Sequence, residues 1–337
     1  MPESVFMDLV TRSPALAPAL ALPVGAPPSP ATVRWVRECF GRGAEIRAIR
    51  PLPGGTAHAN HALVVESGSG SEHRLVLRRW LPRDPLAPGG IPGVSGAVGT
   101  SGSSAATVFA DGEFSPEREI AALTLLAACE IPTPALVAAD PAGAHCDAPA
   151  LLLTRLPGHP PRPVPDDLPE VLIQLAAALL PVHALRGAAS MPPYIPRNRL
   201  DLRQPPKHAT RPELWERACE IASGPAPDAP SRFVHRDYHP DNTLWSRGRL
   251  TGVVDWSDAS SGPVGVDVGQ MRLRLALRYG VRVADRFREC FDQVAGGHDQ
   301  DPYWDLRCLL DLLPEEPGRV LSERDAARAE EYLQTLL

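Results

Sequence analysis

The chain has 337 residues, 44% of them apolar and 22% charged, with a formal net charge of −6; that is enough for one large or two ordinary domains around a substantial core. The acidic balance, with no dense Lys/Arg cluster interleaved with aromatics, argues against nucleic acid as a partner and leaves cationic small molecules electrostatically acceptable. Six cysteines, at 39, 129, 146, 219, 290 and 308, form no Cys-x-x-Cys pair and no Cys/His metal spacing, so they are expected to be reduced core thiols.

Residues 1–30 are Ala/Pro-rich, and prolines at 14, 18, 23, 27, 28 and 30 interrupt any continuous helical apolar segment. A loosely ordered tail is expected there rather than a secretory signal. No later run reaches the roughly 18 uninterrupted apolar residues of a membrane span, which predicts a cytoplasmic chain with no membrane partner. Ser29-Pro30 can cap and open a short helix through Phe40, with Gly41 and Gly43 ending it. Three β-compatible runs follow at 46–51, 61–66 and 73–80, separated by PGGTAHAN and SGSGS, which read as turns of an antiparallel sheet. In the first turn Gly54 and Gly55 let backbone approach a phosphate closely, and Thr56 with nearby amides can donate hydrogen bonds to it. A plain hairpin turn has the same composition. The period of two places Arg78 and Arg79 on opposite faces of their strand. Residues 82–112, rich in Gly, Ser, Pro and Ala without periodicity, are expected to form a mobile insertion.

Ser115-Pro116-Glu117-Arg118-Glu119 has helix-start chemistry and leads into Ile120, Leu123, Leu126 and Ala127 at helical spacing. Both glutamates suit a helix N-terminus. Ile131-Pro132-Thr133-Pro134 begins an extended segment, 151–156 reads as a buried strand, and Pro157-Gly158 as a turn. A helix is expected over 170–185. His183 lies on its Leu/Ala surface with no second ligand beside it, which favours packing and hydrogen bonding over metal ligation.

The densest chemistry lies at 233–267, FVHRDYHPDNTLWSRGRLTGVVDWSDASSGPVGVD. His235-Arg236-Asp237 precedes Asn242 by the spacing H-R-D-x-x-x-x-N, and Asp255 follows a short apolar strand. Thr243-Leu244-Trp245 and 250–254 read as strands joined by Ser246-Arg247-Gly248-Arg249, a hairpin that returns Asn242 beside Asp255. Phosphoryl transfer needs one carboxylate to orient an attacking hydroxyl, and an amide oxygen with a second carboxylate to hold Mg²⁺ against nucleotide phosphates. Asp237, Asn242 and Asp255 can fill those roles; an ordinary hairpin with solvated acids at its ends is the alternative. Helices are expected over 268–279, 283–294 and 322–336. Between them Asp301, Tyr303, Trp304, Asp305 and Asp311 offer substrate-binding chemistry. Alternatively Trp304, Leu306, Leu309, Leu310 and Leu313 form a core stripe with solvated carboxylates opposite, the reading we favour.

His235, Asp237, His239-Pro240, Asn242, Asp255-Trp256, Gly262-Pro263 and Asp267 together resemble the aminoglycoside phosphotransferase family. The resemblance implies an α+β, two-lobed protein-kinase-like fold, with a small antiparallel-sheet N-terminal lobe and a larger, mainly helical C-terminal lobe. It divides the chain into the tail at 1–30, a nucleotide-binding lobe at 31–153, a hinge at 154–158 and a catalytic and substrate lobe at 159–337. It also implies a small-molecule kinase using ATP, with GTP as the alternative nucleotide, and Mg²⁺. Asp237 would then serve as the catalytic residue and Asn242 and Asp255 as metal ligands, with Gly54, Gly55 and Thr56 over the phosphates. Arg78 stands where most kinases have a phosphate-contacting lysine, as it does in some sequences of the family, a departure that changes reach and geometry; a solvent-facing role for both Arg78 and Arg79 is the alternative. Glu119 would be the ion-pair partner of Arg78, His235 a brace, and Asp267 an acceptor for backbone amides of the catalytic loop. Only eleven residues separate Asp255 from Asp267 and no Ala-Pro-Glu follows, which leaves no peptide-aligning activation segment and favours a small hydroxylated acceptor. A catalytically weak nucleotide-binding protein with a regulatory role is the alternative function.

Overall fold

The computed structural model describes residues 26–52, 58–81, 115–164, 166–186, 191–200, 203–298, 300–313 and 320–337. Helix α1 (Pro30–Glu38) starts as the sequence predicts, with the Ser29 side chain accepting from the Thr32 amide. Strands β1 (Glu45–Pro51), β2 (Ala59–Glu66), β3 (Glu72–Arg79), β4 (Leu136–Asp140) and β5 (Ala150–Thr154) form an antiparallel five-stranded sheet in the order β1-β2-β3-β5-β4. Strand alternation divides β3 between two environments. Leu75 and Leu77 join Trp35 and Val36 of α1 in a small core on one face, while Val76 and Trp80 join the main core on the other. The insertion expected at 82–112 and most of the expected N-terminal tail lie outside the described residues.

Helix α2 (Pro116–Leu126) is capped by Ser115, whose hydroxyl accepts from the Arg118 amide. After β5 the chain turns at Gly158, where φ is +109° and an added Cβ would lie 2.6 Å from the Trp245 carbonyl, so only glycine fits. His159 exchanges two backbone hydrogen bonds with Trp245 at 3.1 and 2.8 Å. Helices α3 (Leu168–Ala184) and α4 (Pro212–Ala222) follow, then the pair β6 (Ser231–Val234) and β9 (Ser260–Pro263), which encloses the hairpin β7 (Thr243–Ser246) and β8 (Arg249–Val253). Helices α5 (Gly265–Tyr279), α6 (Val281–Ala295), α7 (Pro302–Leu310) and α8 (Glu323–Leu336) complete the mainly helical part. Among the described residues no helix is long and apolar enough to cross a membrane.

Two expectations need correcting. Trp304, Leu306, Leu309, Leu310 and Leu313 are indeed core, but of the carboxylates beside them only Asp301 is exposed. Asp305 is fully buried, accepting from Arg272 at 2.7 Å, the Tyr332 hydroxyl at 2.6 Å and Gln300 at 3.0 Å; it ties α5, α7 and α8 together. Asp311 accepts from the Asn198 amide at 2.9 Å, and burial pushes its carboxyl above the ordinary range. Asp301 is spent on capping α7. The cysteines form no disulfide, but only Cys219, Cys290 and Cys308 are fully buried, and Cys39 is exposed.

Candidate active site

Two short 3₁₀ turns position the central residues. The first, Pro240–Asn242, opens β7, with the His239 imidazole accepting from the Asp241 amide at 3.2 Å. The second, Trp256–Asp258, follows Asp255, which sits in the left-handed region at φ +67°. The hairpin between them closes through Arg247 and Gly248, both at positive φ. The Val254 amide donates to the Asn242 carbonyl at 2.9 Å, so Asn242 and Asp255 meet at one end of the hairpin as its sequence predicts.

Asp237 lies in the same cleft. Gln270 donates to its Oδ1 at 2.8 Å, and Asn242 Nδ2 donates to its Oδ2 at 3.2 Å and to its carbonyl at 2.9 Å. His239 Nε2 stands 3.4 Å from Oδ2. Burial alone would raise this carboxyl, but the neighbouring His239, Arg197 and Arg274 outweigh that and hold it well below the usual carboxylate range.

Arg78 joins the sheet to this cleft. Its Nη1 lies 2.8 Å from both carboxylate oxygens of Glu119 and 2.9 Å from Asp255 Oδ1, while its Nε donates to Asn60 at 3.2 Å. Glu119 is buried and Glu117 exposed, so the ion pair selects Glu119. Burial pushes the Glu119 carboxyl up against the pull of Arg78. Burial also acts to raise Asp255, yet Arg78, His58 and the Ser257 hydroxyl bring it down to about 2. Arg79, on the opposite face, pairs with Asp147 at 2.6 Å; neither arginine faces solvent.

The loop is braced from beneath by Asp267, which is fully buried. Its Oδ1 accepts from the Arg236 amide at 2.7 Å, and its Oδ2 accepts from the His235 amide at 3.0 Å and lies 2.9 Å from His183 Nε2. These contacts hold Arg236 at φ +69°, a conformation that costs about 1–3 kcal/mol in a non-glycine residue. His235 Nε2 lies 3.0 Å from the Val254 carbonyl, tying the loop to the strand before Asp255. His183 is thus a hydrogen-bonding residue, as expected, though its partner is the brace itself.

Gly54, Gly55 and Thr56 lie outside the described residues. Asn60, Gln270, Arg197 and Arg274 contribute to the cleft beyond the residues the sequence motifs name, and His239, a motif residue with no role assigned from sequence, stands beside Asp237. Asp267, Gln270 and Arg274 fall on one helical face at i, i+3 and i+7, a signal present in the sequence. Asn60 lies directly opposite Arg78 across β2 and β3.

The donor set fits a magnesium ion brought in with phosphate. Asn242 makes its hydrogen bonds through Nδ2 and Asp255 through Oδ1, leaving one oxygen of each without a hydrogen-bond partner among the described residues. Mg²⁺ commonly uses one or two carboxylate ligands and completes its shell with phosphate and water. Among the described residues no cluster of three or more His, Cys, Asp or Glu could bind a metal by itself.

The sequence profile of the phosphotransferase enzyme family matches residues 48–296. The N-acetylmuramate/N-acetylglucosamine kinase of Pseudomonas aeruginosa is 44% identical over 54 residues, a stretch spanning 16% of this chain and 16% of that relative's length. Among solved structures, a thermostable mutant of aminoglycoside phosphotransferase APH(4)-Ia, in a ternary complex with ADP and hygromycin B, superposes with a TM-score of 0.55 at 16% identity, covering 91% of this chain and 97% of that one. The streptomycin-ATP-APH(2″)-IIa ternary complex superposes with a TM-score of 0.50 at 14% identity, covering 84% and 87%. At these identities the likeness establishes the two-lobed, protein-kinase-like α+β fold.

Proposed function

This chain belongs to the phosphotransferase enzyme family, and from that premise we propose that it transfers the γ-phosphoryl group of MgATP to a hydroxyl of a small molecule. The observation that carries the reading is the convergence of Asp237, Asn242 and Asp255, from the stretch 233–267, with Arg78 from the sheet: Asn242 bonds to Asp237, Arg78 to Asp255, and the Val254 amide to the Asn242 carbonyl. Asp237 orients the acceptor hydroxyl. As the acceptor oxygen bonds to the γ-phosphorus, the bond to the β,γ-bridging oxygen breaks, its electron pair leaves with ADP, and the hydroxyl proton passes to Asp237 and then to solvent. Because Asp237 is held well below the usual range, it is a weak base in the ground state and accepts the proton late. Asn242 and Asp255 would hold Mg²⁺, which supplies charge neutralisation across the phosphates. Arg78, anchored by Glu119, contacts the phosphates where most kinases use a lysine.

Nucleotide binding is the first test. MgATP at about 100 times its dissociation constant should stabilise the fold by roughly 2.7 kcal/mol, read as an upward shift of thermal unfolding; no shift at millimolar MgATP or MgGTP would contradict the reading.

The two strand arginines give a sharper contrast. Loss of a charged hydrogen-bonding partner typically costs about 1.5–3 kcal/mol, so Arg78→Ala should raise KM for MgATP about tenfold or more. Arg79→Ala should lower Tm through the orphaned Asp147 while leaving that KM within about twofold. Steady-state kinetics beside thermal unfolding separates them, and equal effects on KM would show that Arg78 has no special relation to the nucleotide.

A further inference from the structure

Two arginines flank Asp237 that the roles above leave unused. Arg274, on α5, places Nη2 3.8 Å from Asp237 Oδ1, the oxygen already hydrogen-bonded by Gln270. It is therefore held at ion-pair distance without supplying the hydrogen bond, and its buried Nε has no hydrogen-bond partner among the described residues. Arg197 reaches the same cleft from the segment 191–200 and pairs with Asp258, in the turn after Asp255. That segment is fastened to the catalytic loop, where Arg236 Nη2 donates to the Ile195 carbonyl at 2.5 Å, and to the end of α7, where Asn198 donates to Asp311 and to the Leu310 carbonyl. Arg197 and Arg274 feel each other as well as Asp237, and their side chains remain 27% and 20% exposed.

The acids that face these arginines are each engaged already. Asp258 is taken by Arg197, Asp241 by Arg278 at 2.9 Å, and Asp311, which also faces Arg197, accepts from the Asn198 amide at 2.9 Å. Asp237, already faced by His239 at 3.4 Å, must serve the acceptor hydroxyl. Two guanidinium groups near one another in a partly dry cleft repel, and an anion placed between them relieves that repulsion with charge-assisted hydrogen bonds. A polycationic acceptor would add to it. We propose that the acceptor is itself an anion, a hydroxylated compound whose carboxylate or phosphate is held by Arg274 and Arg197 while its hydroxyl meets Asp237. This inference rests on the kinase reading above and narrows it to a substrate class.

The test compares a cationic aminoglycoside with three acceptors that share a sugar ring. N-acetylmuramate carries a carboxylate, N-acetylglucosamine 6-phosphate a phosphate, N-acetylglucosamine neither, and hygromycin B is cationic. With γ-labelled MgATP, kcat/KM for one of the two anionic sugars should exceed that for N-acetylglucosamine by about tenfold or more, the effect of one charge-assisted hydrogen bond; which anion wins decides between carboxylate and phosphate. Arg274→Gln should raise KM for that anion by about the same factor, should reduce transfer to N-acetylglucosamine much less, and should leave KM for MgATP within about twofold. Arg274→Lys, which keeps the charge, should recover part of the loss, and thermal unfolding of both variants checks that they fold. A loss equal for neutral and anionic sugars would assign Arg274 to the support of Asp237, a matching rise in KM for MgATP would assign it to the transferred phosphoryl group, and either would overturn the inference. Preference for the neutral sugar or hygromycin B would also overturn it while leaving the kinase reading in place. No MgATP-dependent transfer to any acceptor would overturn both.

Discussion

Replacing Asp237 by Asn should cost a factor of about 10² to 10⁴ in phosphoryl transfer, the usual contribution of a positioned general base, while MgATP still stabilises the fold. The two outcomes separate because the proposed partner of Asp237 is the acceptor hydroxyl, whereas the nucleotide is held through Arg78, Asn242 and Asp255. An amide in that place can still meet Gln270 or Asn242, so the loop need not collapse, but it cannot take the hydroxyl proton. Asp255→Ala should instead damage both transfer and the MgATP-induced shift, since it removes a proposed metal ligand and one partner of Arg78. Single-turnover transfer with labelled ATP, alongside thermal unfolding with and without MgATP, distinguishes the two variants. Full transfer by the Asp237→Asn protein would remove that residue from the chemistry.

The largest effect on stability should come from Asp267→Ala. The carboxylate is fully buried and accepts from two backbone amides of the catalytic loop, with His183 as a third partner. Its removal leaves two buried N–H groups without acceptors, each costing about 1–3 kcal/mol, and releases Arg236 from its positive φ. A loss of about 3–5 kcal/mol is expected, a range reached when a buried charged partner is deleted. Denaturant unfolding measures it, and a change below about 1 kcal/mol would mean that the loop holds its shape without this brace. Transfer should fall as well, because the loop that Asp267 fixes carries Asp237.

Much of this arrangement was legible because it rests on local rules. The turns at 67–71 and 247–248 set strand register, register alternation separated Arg78 from Arg79, and the spacing from Asp237 to Asn242 to Asp255 defined the hairpin ends. The missing parts depend on partners distant in the chain. Asp305 read as a solvated acid because its partners, Arg272 and Tyr332, lie on α5 and α8, and nothing near residue 305 announces them. Helix α4 was not singled out, although Trp215, Ala218, Cys219 and Ala222, all buried, recur at helical spacing after Arg211-Pro212. Arg274 lies within the helix expected over 268–279, where nothing local distinguishes it from a surface charge, and only the fold turns its face toward Asp237.

The central claim, transfer of a phosphoryl group from ATP to a small hydroxylated acceptor through Asp237, is tested most directly by product analysis after incubating the intact protein with γ-labelled MgATP and a broad acceptor panel. Acidic and neutral amino sugars, aminoglycosides, macrolides and amino alcohols should be included. The account predicts label in at least one acceptor, one ADP formed per acceptor phosphorylated, and loss of that label when Asp237→Asn replaces the intact chain. A protein that binds MgATP yet labels no member of the panel would contradict it, and would point instead to a nucleotide-binding protein of this fold with a regulatory role.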